Sequence, residues 1–323
     1  MDPTFKFLIF AAFSMASLWA GYVCRKRGVV HEEASRSIHF HTIAWVWSLV
    51  SLLSLWRAPL AERDLGLVIM QVVIVGAAGF GAIPIARLFG RRRDAVGVLA
   101  VAAAGGNLGF TLGAYLCYSL LDDPLRALGY AIAYVSVMQI AAVVLTYPIA
   151  RHFGEGGLGA GESLGKLMLR NLFDLRSMPL YGALAGQLLG MNSVALPGVV
   201  ERYAVMDVLF YLGSFGGYFG IGLRMRLGDS HRYIPEHAIL AGMKFIFIPV
   251  LTVALVLMLS RTRLALDPIA RDVVLVQSCM PTAIQTVMLA NLFGMNSRMA
   301  SVLWLWSLLL FFVIPLPVVM WLW

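Results

Sequence analysis

The sequence predicts an all-α polytopic membrane protein, in which ten transmembrane helices form a 5+5 inverted repeat with two crossed, broken helices. Hydrophobic residues make up 60% of the chain and charged residues only 13%, and the mean hydropathy is +0.82. Apolar runs of about 20 residues, the length that crosses a bilayer, alternate with short charged loops. Helix-breaking residues interrupt two of these runs, helix four and helix nine, at about the same depth.

Ten apolar runs lie between the charged clusters, and each predicts one transmembrane helix in the lipid bilayer. The first run lacks the charged region and the short apolar stretch of a cleavable signal, so we expect it to be a retained helix. The predicted helices are residues 5–24, 39–56, 67–89, 95–120, 127–150, 179–200, 204–223, 237–259, 272–293 and 299–323.

The distribution of Lys and Arg predicts how these helices are oriented. Of the 25 basic residues, 16 lie on one side of the membrane and 8 on the other, and Lys244 lies inside helix eight. The positive-inside rule places the richer side, with residues 25–27 and 91–93, in the cytoplasm and both termini outside. An inner (cytoplasmic) or plasma membrane is therefore expected. Because topology explains the net charge of +8, no nucleic-acid partner is expected.

An odd number of helices in each half forces the second half to enter the membrane upside down, as in many secondary transporters. The two breaks support this plan, because Gly106 lies 16 residues before Asp122 and Pro281 lies 15 residues before Asn296. The predicted divisions are a first five-helix repeat at 1–150, a cytoplasmic linker with a short interfacial helix at 151–178, and a second, inverted repeat at 179–323.

The stretch AAAGGNLGFTLG, residues 102–113, places four glycines and an asparagine inside helix four. Irregular backbone at membrane depth survives only where it is buried in protein or lines a watery cavity. We expect Asn107 to cap a half-helix that begins near Gly109, and Pro281 to open the second half of helix nine. Two half-helix N-termini would then offer free N–H groups to a carboxylate. The alternative is that the glycines only allow close helix packing.

Lys244 is the only ionisable residue well inside a predicted helix, about seven residues or roughly 10 Å from its cytoplasmic start. Charges inside a membrane usually serve function, so we expect it to attract an anion or to replace a coupling ion. Snorkelling of the side chain to the interface is the alternative. Proton coupling would need Lys244 to release its proton, or protons carried by the substrate. A coupling sodium ion bound by backbone carbonyls and side-chain amides is the other possibility.

Polar residues near the breaks complete the predicted site. Asn107, Thr282 and Gln285 lie within about one turn of a break, where they contact substrate or cap the broken ends. Gln139 is a possible additional lining residue, although an interhelical hydrogen bond is its more common role. No catalytic group, metal site or cofactor is expected, so the chain is not predicted to be an enzyme. The predicted substrate-binding residues are Gly106, Asn107, Thr111, Lys244, Gln277, Pro281, Thr282 and Gln285.

Three further patterns have simple interpretations. Gly182 and Gly186 form a GxxxG motif that we assign to helix packing or to contact in a possible homodimer. The three cysteines lie in or beside apolar segments and are interpreted as small apolar residues. GAGESLGK in the linker does not have the spacing of a phosphate-binding loop, because Ala160 and Leu167 stand at two of its required positions.

Four stretches carry a family resemblance that covers nearly the whole chain in order. They are GYVCRKRGVVHEEASRSI after helix one, GNLGF in helix four, MKFIFIPVL in helix eight, and MPTAIQTVMLANLFGMNSRMASVLWLWSLLLFFVIPLP through helices nine and ten. Together they resemble the auxin efflux carrier family, which includes plant auxin exporters and bacterial permeases for malate and malonate. The last stretch is the most specific.

The resemblance implies a fold shared with the bile-acid/sodium symporters and an elevator-type movement of one helix bundle against another. Helices 1, 2, 6 and 7 would form the scaffold, and helices 3 to 5 with 8 to 10 the moving transport domain. The implied function is secondary transport of a small organic anion, such as an auxin-like acid, malate or malonate. A sodium-coupled, bile-acid-like symporter and a non-transporting membrane sensor are the alternatives.

The sequence also departs from the family pattern, which bears on the substrate rather than on the fold. Helix two reads HTIAWVWSLV, without the proline that many relatives carry. After the first break, where many relatives have a Gly-Leu-Pro-like step, this sequence has Thr111-Leu112-Gly113. Helix six often opens with Asn-Pro in the family, and here it opens with Ser177-Met178-Pro179. Gln285 stands where an asparagine is common in the family.

Overall fold

The computed structural model describes residues 3–57, 59, 64–109, 112–154, 175, 178–225 and 230–323. Within these ranges the regular elements are all helices, and the one exception is an isolated antiparallel bridge between Gly106 and Thr282. The all-α prediction is therefore confirmed for the part of the chain that the structure describes. The predicted linker helix lies outside it, apart from Leu175.

The helices follow most of the predicted segments closely, but predicted helices four, nine and ten are each split in two, and predicted helix six ends early, at Met191. The first half of the chain contains α1 (Pro3–Lys26), α2 (34–57), α3 (Leu65–Leu88), α4 (Arg93–Ala104), α5 (Gly113–Leu120) and α6 (124–153). The second half contains α7 (Met178–Met191), α8 (Val199–Arg202), α9 (Val205–Gly222), α10 (234–259), α11 (Pro268–Ser278), α12 (Gln285–Leu292), α13 (Ser297–Val313) and α14 (Pro315–Leu322).

Five of these helices are long and apolar enough to cross a membrane on their own. A sixth span results if α13 and α14, which meet at an angle of 41°, count as one. The single spans are Leu8–Lys26, Ser37–Arg57, Leu65–Leu88, Val205–Gly222 and Ile234–Leu259. A multi-pass membrane protein is thus established, and the ten-span inverted repeat is compatible with the helices and stays a prediction.

Three long helices contain a π-helical turn, at Thr42–Trp47 in α2, Ala142–Thr146 in α6 and Met243–Phe247 in α10. Proline explains two of them. Pro148 and Pro249 follow closely and have no N–H to donate to the preceding turn, so the local hydrogen-bond ladder widens instead of continuing. The turn in α10 carries Lys244.

The chain forms two compact units, of which unit 1 comprises Met1–Ala61, Gly109–Ser136 and Leu172–Met225. In unit 1, α1 packs against α9 and α2 against α7. The α2–α7 contact is close because Gly182 and Gly186 lie directly on the backbone of Ser48 and Leu52. The packing interpretation of the GxxxG motif is therefore confirmed, since both glycines are used within the chain.

Unit 2 comprises Glu62–Leu108, Val137–Asn171 and Arg226–Trp323. Here α3 packs along α4, and α4 packs against the end of α6. Gly97 of α4 lies against Phe153 and Met295, where a side chain would clash with the Phe153 Cβ atom. Gly154 contacts the Phe293 carbonyl in the same way. These small residues bring the start of α4 and the end of α6 close to the turn that follows α12.

Each unit contains helices from both halves of the sequence. Unit 1 includes predicted helices one, two, six and seven, the set that the resemblance implies for a scaffold. It also includes residues 109–136, so the implied grouping of all of helices four and five with the transport domain does not describe this division. Aromatic contacts explain the difference, because Tyr115 of α5 stacks on Phe10 with ring centroids 3.7 Å apart and Tyr118 stacks on Phe210.

Candidate functional site

The two breaks pair with each other inside unit 2. The Asn107 N–H donates to the Pro281 carbonyl at 2.7 Å, and the Ala283 N–H donates to the Gly105 carbonyl at 3.2 Å. A break in a membrane helix leaves backbone groups without their helical partners, and each such group is costly in hydrocarbon. The pairing satisfies several of them and fixes the crossing of the two chain segments at Gly106 and Thr282.

This pairing corrects two details of the sequence prediction. The helix after the first break begins at Gly113, with Leu112 rather than Asn107 at the N-cap position and no side-chain cap. The helix after the second break begins at Gln285, so Pro281 does not open it. Both predictions were wrong for one reason. The backbone beside Asn107 and Pro281 forms the antiparallel bridge, so the helices start several residues later.

Lys244 binds this crossing directly. Its Nζ atom donates a hydrogen bond to the Gly105 carbonyl at 3.3 Å, and the residue is only 3% exposed. A Cβ atom at Gly106 would lie 3.4 Å from the same Nζ atom, so glycine there leaves room for the ammonium group. The snorkelling alternative is therefore wrong. Among the described residues, no carboxylate forms an ion pair with Lys244.

Two more side chains predicted for the site hold the crossing in place. The Gln277 Nε2 atom donates to the Leu108 carbonyl at 3.1 Å, and Gln277 is 1% exposed. The Thr282 hydroxyl donates to the Ala102 carbonyl at 2.6 Å. Thr282 itself is held from the other side, because its N–H donates to the Ser307 hydroxyl at 3.3 Å. Both broken segments are thus bound by side chains from regular helices.

A small cavity lies beside the crossing. Its volume is about 10 Å³, the space that one water molecule needs. Gln285 and Thr286, in the first turn of α12, supply polar side chains to its wall, and Thr146 supplies another from the π turn of α6. The lining residues are Val75, Val101, Ala104, Gly105, Met138, Ala142, Thr146, Gln285, Thr286 and Leu289.

The structure brings most of the predicted site residues together. Gly106, Asn107, Pro281 and Thr282 form the crossing, Lys244 and Gln277 bind its backbone, and Gln285 lines the cavity. Thr111 lies outside the described residues. Gln139 lies on α6 directly after Met138, which lines the cavity, but its side chain is likewise outside the description.

Sequence reasoning missed four polar residues of unit 2. Thr146 and Thr286 line the cavity, and Ser307 accepts from the Thr282 N–H. Gln71 of α3 is 1% exposed, and its Oε1 atom has no hydrogen-bond partner among the described residues. The signal for Gln71 was available, because it is an amide inside a long apolar segment. Thr146, Thr286 and Ser307 gave no such signal, because serine and threonine inside apolar helices commonly bond to a carbonyl of their own helix.

Chemically, the crossing offers both kinds of ligand group. The Lys244 ammonium, the Gln285 amide and the first N–H groups of α12 attract an anion, while the Gly105 carbonyl attracts a cation. The ammonium group already occupies the position that faces this carbonyl. The described residues therefore place one buried basic side chain, Lys244, and polar groups suited to binding a negative partner at the crossing.

Comparison with known families gives one match. The sequence matches the family described as Membrane transport protein over residues 15–320, which is nearly the whole chain. No curated protein matches the sequence.

Proposed function

Since the chain belongs to the auxin efflux carrier family of membrane transport proteins, we propose that it is a secondary transporter of a small organic anion. The substrate is a carboxylate, such as an auxin-like acid, malate or malonate, and it binds where the two broken helices cross. The family is one of transporters rather than enzymes, which agrees with the expectation that no catalytic group is present.

The buried basic side chain of Lys244 is the observation that carries this proposal. An ion removed from water without a counter-charge is costly, and burial is tolerated when a partner or a function compensates for it. The described residues provide Lys244 with a carbonyl and no carboxylate. A carboxylate substrate supplies the missing negative charge, so substrate binding and charge compensation become the same event.

The size of the cavity supports a mechanism that includes a movement. Small-molecule sites usually occupy about 300–1,000 Å³, whereas the cavity beside the crossing measures about 10 Å³. A dicarboxylate therefore cannot enter without displacement of the walls. Gln285 and Thr286 begin a short helix directly after irregular backbone, so a shift of α12 would enlarge the cavity and present its N-terminus. We propose that alternating access of the elevator type provides this shift.

The position of Lys244 favours transport without sodium. A bound sodium ion in a broken-helix site is coordinated by backbone carbonyls. At the crossing the Lys244 ammonium already contacts the Gly105 carbonyl, and it excludes a second cation by repulsion. We therefore propose that Lys244 takes the place of a coupling sodium ion, with protons carried by Lys244 or by the substrate.

Binding is tested first, with the purified full-length protein in detergent. Its thermal stability is measured against malonate, malate, indole-3-acetate and taurocholate, each with and without sodium. A ligand at a hundred times its Kd should stabilise the protein by about 2.7 kcal/mol. We expect a shift with a small carboxylate that is the same in sodium and in potassium. A shift that requires sodium and favours taurocholate would instead establish the bile-acid-like symporter.

Two variants locate the site, and a third controls for folding. Lys244→Met and Gln285→Ala should abolish the carboxylate-dependent shift. Ile246→Ala is the matched control, because Ile246 lies in the same π turn but is 66% exposed and should leave the shift unchanged. Equal affinity in all three variants would refute the assignment of the site. Uptake of the identified carboxylate by proteoliposomes then separates a transporter from a sensor, which binds but does not accumulate it.

A further inference from the structure

Unit 2 contains a second pocket, separate from the crossing and much larger. Its volume is about 390 Å³, within the usual range for small-ligand sites. It lies where the end of α3, the start of α4 and the end of α6 converge. The lining residues are Arg87, Arg91, Arg93, Val96, His152 and Phe153, none of which belongs to the crossing. The positive-inside rule predicts that this end of unit 2 faces the cytoplasm.

A glycine turn places the first two arginines. Gly90 has a φ of +64°, a left-handed conformation that ends α3. The Gly90 N–H donates to the Arg87 carbonyl at 2.9 Å, and the Arg91 N–H donates to the Ala86 carbonyl at 3.1 Å. This pair of bonds is the Schellman motif, which reverses the chain within two residues. Arg91 is thereby brought to the same pocket as Arg87.

The arginine side chains are held by their surroundings. An Nη atom of Arg93 donates to the His152 carbonyl at 2.6 Å, and the Arg87 guanidinium lies 5.8 Å from the centre of the Phe153 ring. The ring is a firm wall, because Phe153 is only 5% exposed and packs on Gly97. Contacts among three helix ends therefore fix the shape of the pocket and the positions of Arg87 and Arg93.

Only one of the three positive charges is balanced within the described residues. Arg91 forms an ion pair with Glu236 at 3.0 Å. Arg87 and Arg93 have no carboxylate partner in the described part of the chain. These two guanidinium groups line the pocket, and each offers a planar fork of donors that matches an oxyanion.

We propose that this pocket binds a phosphate monoester or free phosphate, with Arg87 and Arg93 as the ligands that neutralise it. Such a group carries close to two negative charges near neutral pH and has several acceptor oxygens for the two forks. Basic pockets between transmembrane helices on the cytoplasmic side are suited to lipid headgroups. The same chemistry is offered by phosphatidic acid in the membrane and by inorganic phosphate in the cytoplasm.

Two binding measurements on the detergent-purified full-length protein distinguish these sources. In the first, dihexanoyl phosphatidic acid is titrated into the protein by calorimetry, with dihexanoyl phosphatidylcholine as the zwitterionic reference. In the second, inorganic phosphate is titrated against chloride at the same ionic strength. Tighter binding of phosphatidic acid identifies the lipid as the source, and equal affinities identify free phosphate. Failure of both ligands to bind would overturn the proposal.

The variants test whether the pocket itself is responsible. Arg87→Gln and Arg93→Gln should each weaken binding about ten- to a hundredfold, the range expected for hydrogen bonds to a charged group. Arg92→Gln is the matched control. It removes the same charge from the same turn, but Arg92 pairs with Asp94 and does not line the pocket. If all three variants lost the same binding affinity, the ligand would be attracted by the overall positive charge of this loop, and a specific site would be refuted.

Folding is checked separately. If Arg93→Gln lowers the melting temperature of the ligand-free protein, Arg93→Lys replaces it, because lysine keeps the charge and loses the planar fork. We expect Arg93→Lys to bind phosphate more weakly than the wild-type protein, and unchanged binding would show that fork recognition plays no part. None of these outcomes depends on carboxylate transport at the crossing.

Discussion

The interiors of the two units differ in how they satisfy polar groups. Most contacts inside unit 1 are neutral, with glycine faces against backbone, stacked aromatic rings, and a hydroxyl pair between Ser14 and Ser214 at 2.6 Å, and its Arg57–Glu201 ion pair lies at the surface. Unit 2 uses glycine faces as well, but its centre contains irregular backbone and a buried ammonium group. Unit 1 associates as membrane helices usually do, through small residues and hydrogen bonds between uncharged groups. Unit 2 differs, because a basic side chain and irregular backbone lie at its centre.

We infer from this difference that unit 2, rather than unit 1, contains the proposed binding site. Tight packing without charge favours one rigid arrangement. A buried lysine without a carboxylate partner among the described residues and a small cavity destabilise the arrangement in which they occur, and such features persist at sites that bind or move. The comparison predicts that substitutions in unit 1 change stability alone, whereas substitutions at the crossing change binding as well as stability.

The largest expected effect is in unit 1, at Gly186. A Cβ atom there would lie 2.2 Å from the Leu52 carbonyl oxygen and 3.0 Å from the Trp56 nitrogen, and both are backbone atoms that cannot rotate away. We expect Gly186→Val to destabilise the protein by about 3 kcal/mol. The change is measured by thermal unfolding in detergent.

Gly198→Ala is the control for this substitution. Its φ is −60° and no atom lies within 4 Å of a new Cβ, so stability should be almost unchanged. If Gly186→Val proved as stable as Gly198→Ala, the close packing of α2 on α7 would be disproved.

Lys244→Met should have the opposite sign. The substitution removes a charge that no described carboxylate balances and keeps a long apolar side chain in its place. We expect the ligand-free protein to become more stable by about 1–2 kcal/mol, because replacing buried charge with apolar volume is often stabilising. The same variant should lose carboxylate binding. Unfolding of the ligand-free variant at a lower temperature than wild type would contradict the comparison between the units.

The helical fold was predictable from the sequence because apolar run length decides it. Every predicted segment contains helix, and the splits in helices four, nine and ten each lie at or beside glycine or proline. The composition of a segment and the spacing of its apolar residues depend only on residues that are close in sequence, so both are visible without the structure. The division into two units was less predictable, because it depends on contacts between distant rings such as Phe10 and Tyr115.

At the crossing, the positions of the two breaks were predictable and the geometry was not. The buried position of Lys244 and the meeting of Gly106 with Thr282 follow from expecting broken backbone to be buried in protein. The helix starts were misplaced, because capping rules consider one chain segment at a time. The antiparallel pairing of Asn107 with Pro281 joins residues far apart in sequence, and no local pattern encodes it.

Thr282→Val should have a moderate effect on unit 2. The substitution keeps the shape of the side chain and removes the hydroxyl that donates to the Ala102 carbonyl at 2.6 Å across the break. We expect a loss of about 1–1.5 kcal/mol in unfolding free energy. Thr252→Val is the control, because the equally buried Thr252 hydroxyl donates only to Ile248 in its own helix. Equal losses would mean that the bond across the break adds nothing to the crossing.

The smallest expected effect lies in unit 1, at the hydroxyl pair between α1 and α9. Ser14→Ala removes the contact with Ser214 and should lower the unfolding free energy by about 0.6 kcal/mol, the average for hydrogen bonds between membrane helices. Ser17→Ala on the same helix removes only a bond to the Phe13 carbonyl and should be nearly neutral. Because neither serine touches the crossing, both variants should bind carboxylate like the wild-type protein. A weaker affinity in Ser14→Ala alone would show that unit 1 contributes to binding, and the contrast between a structural unit and a binding unit would then fail.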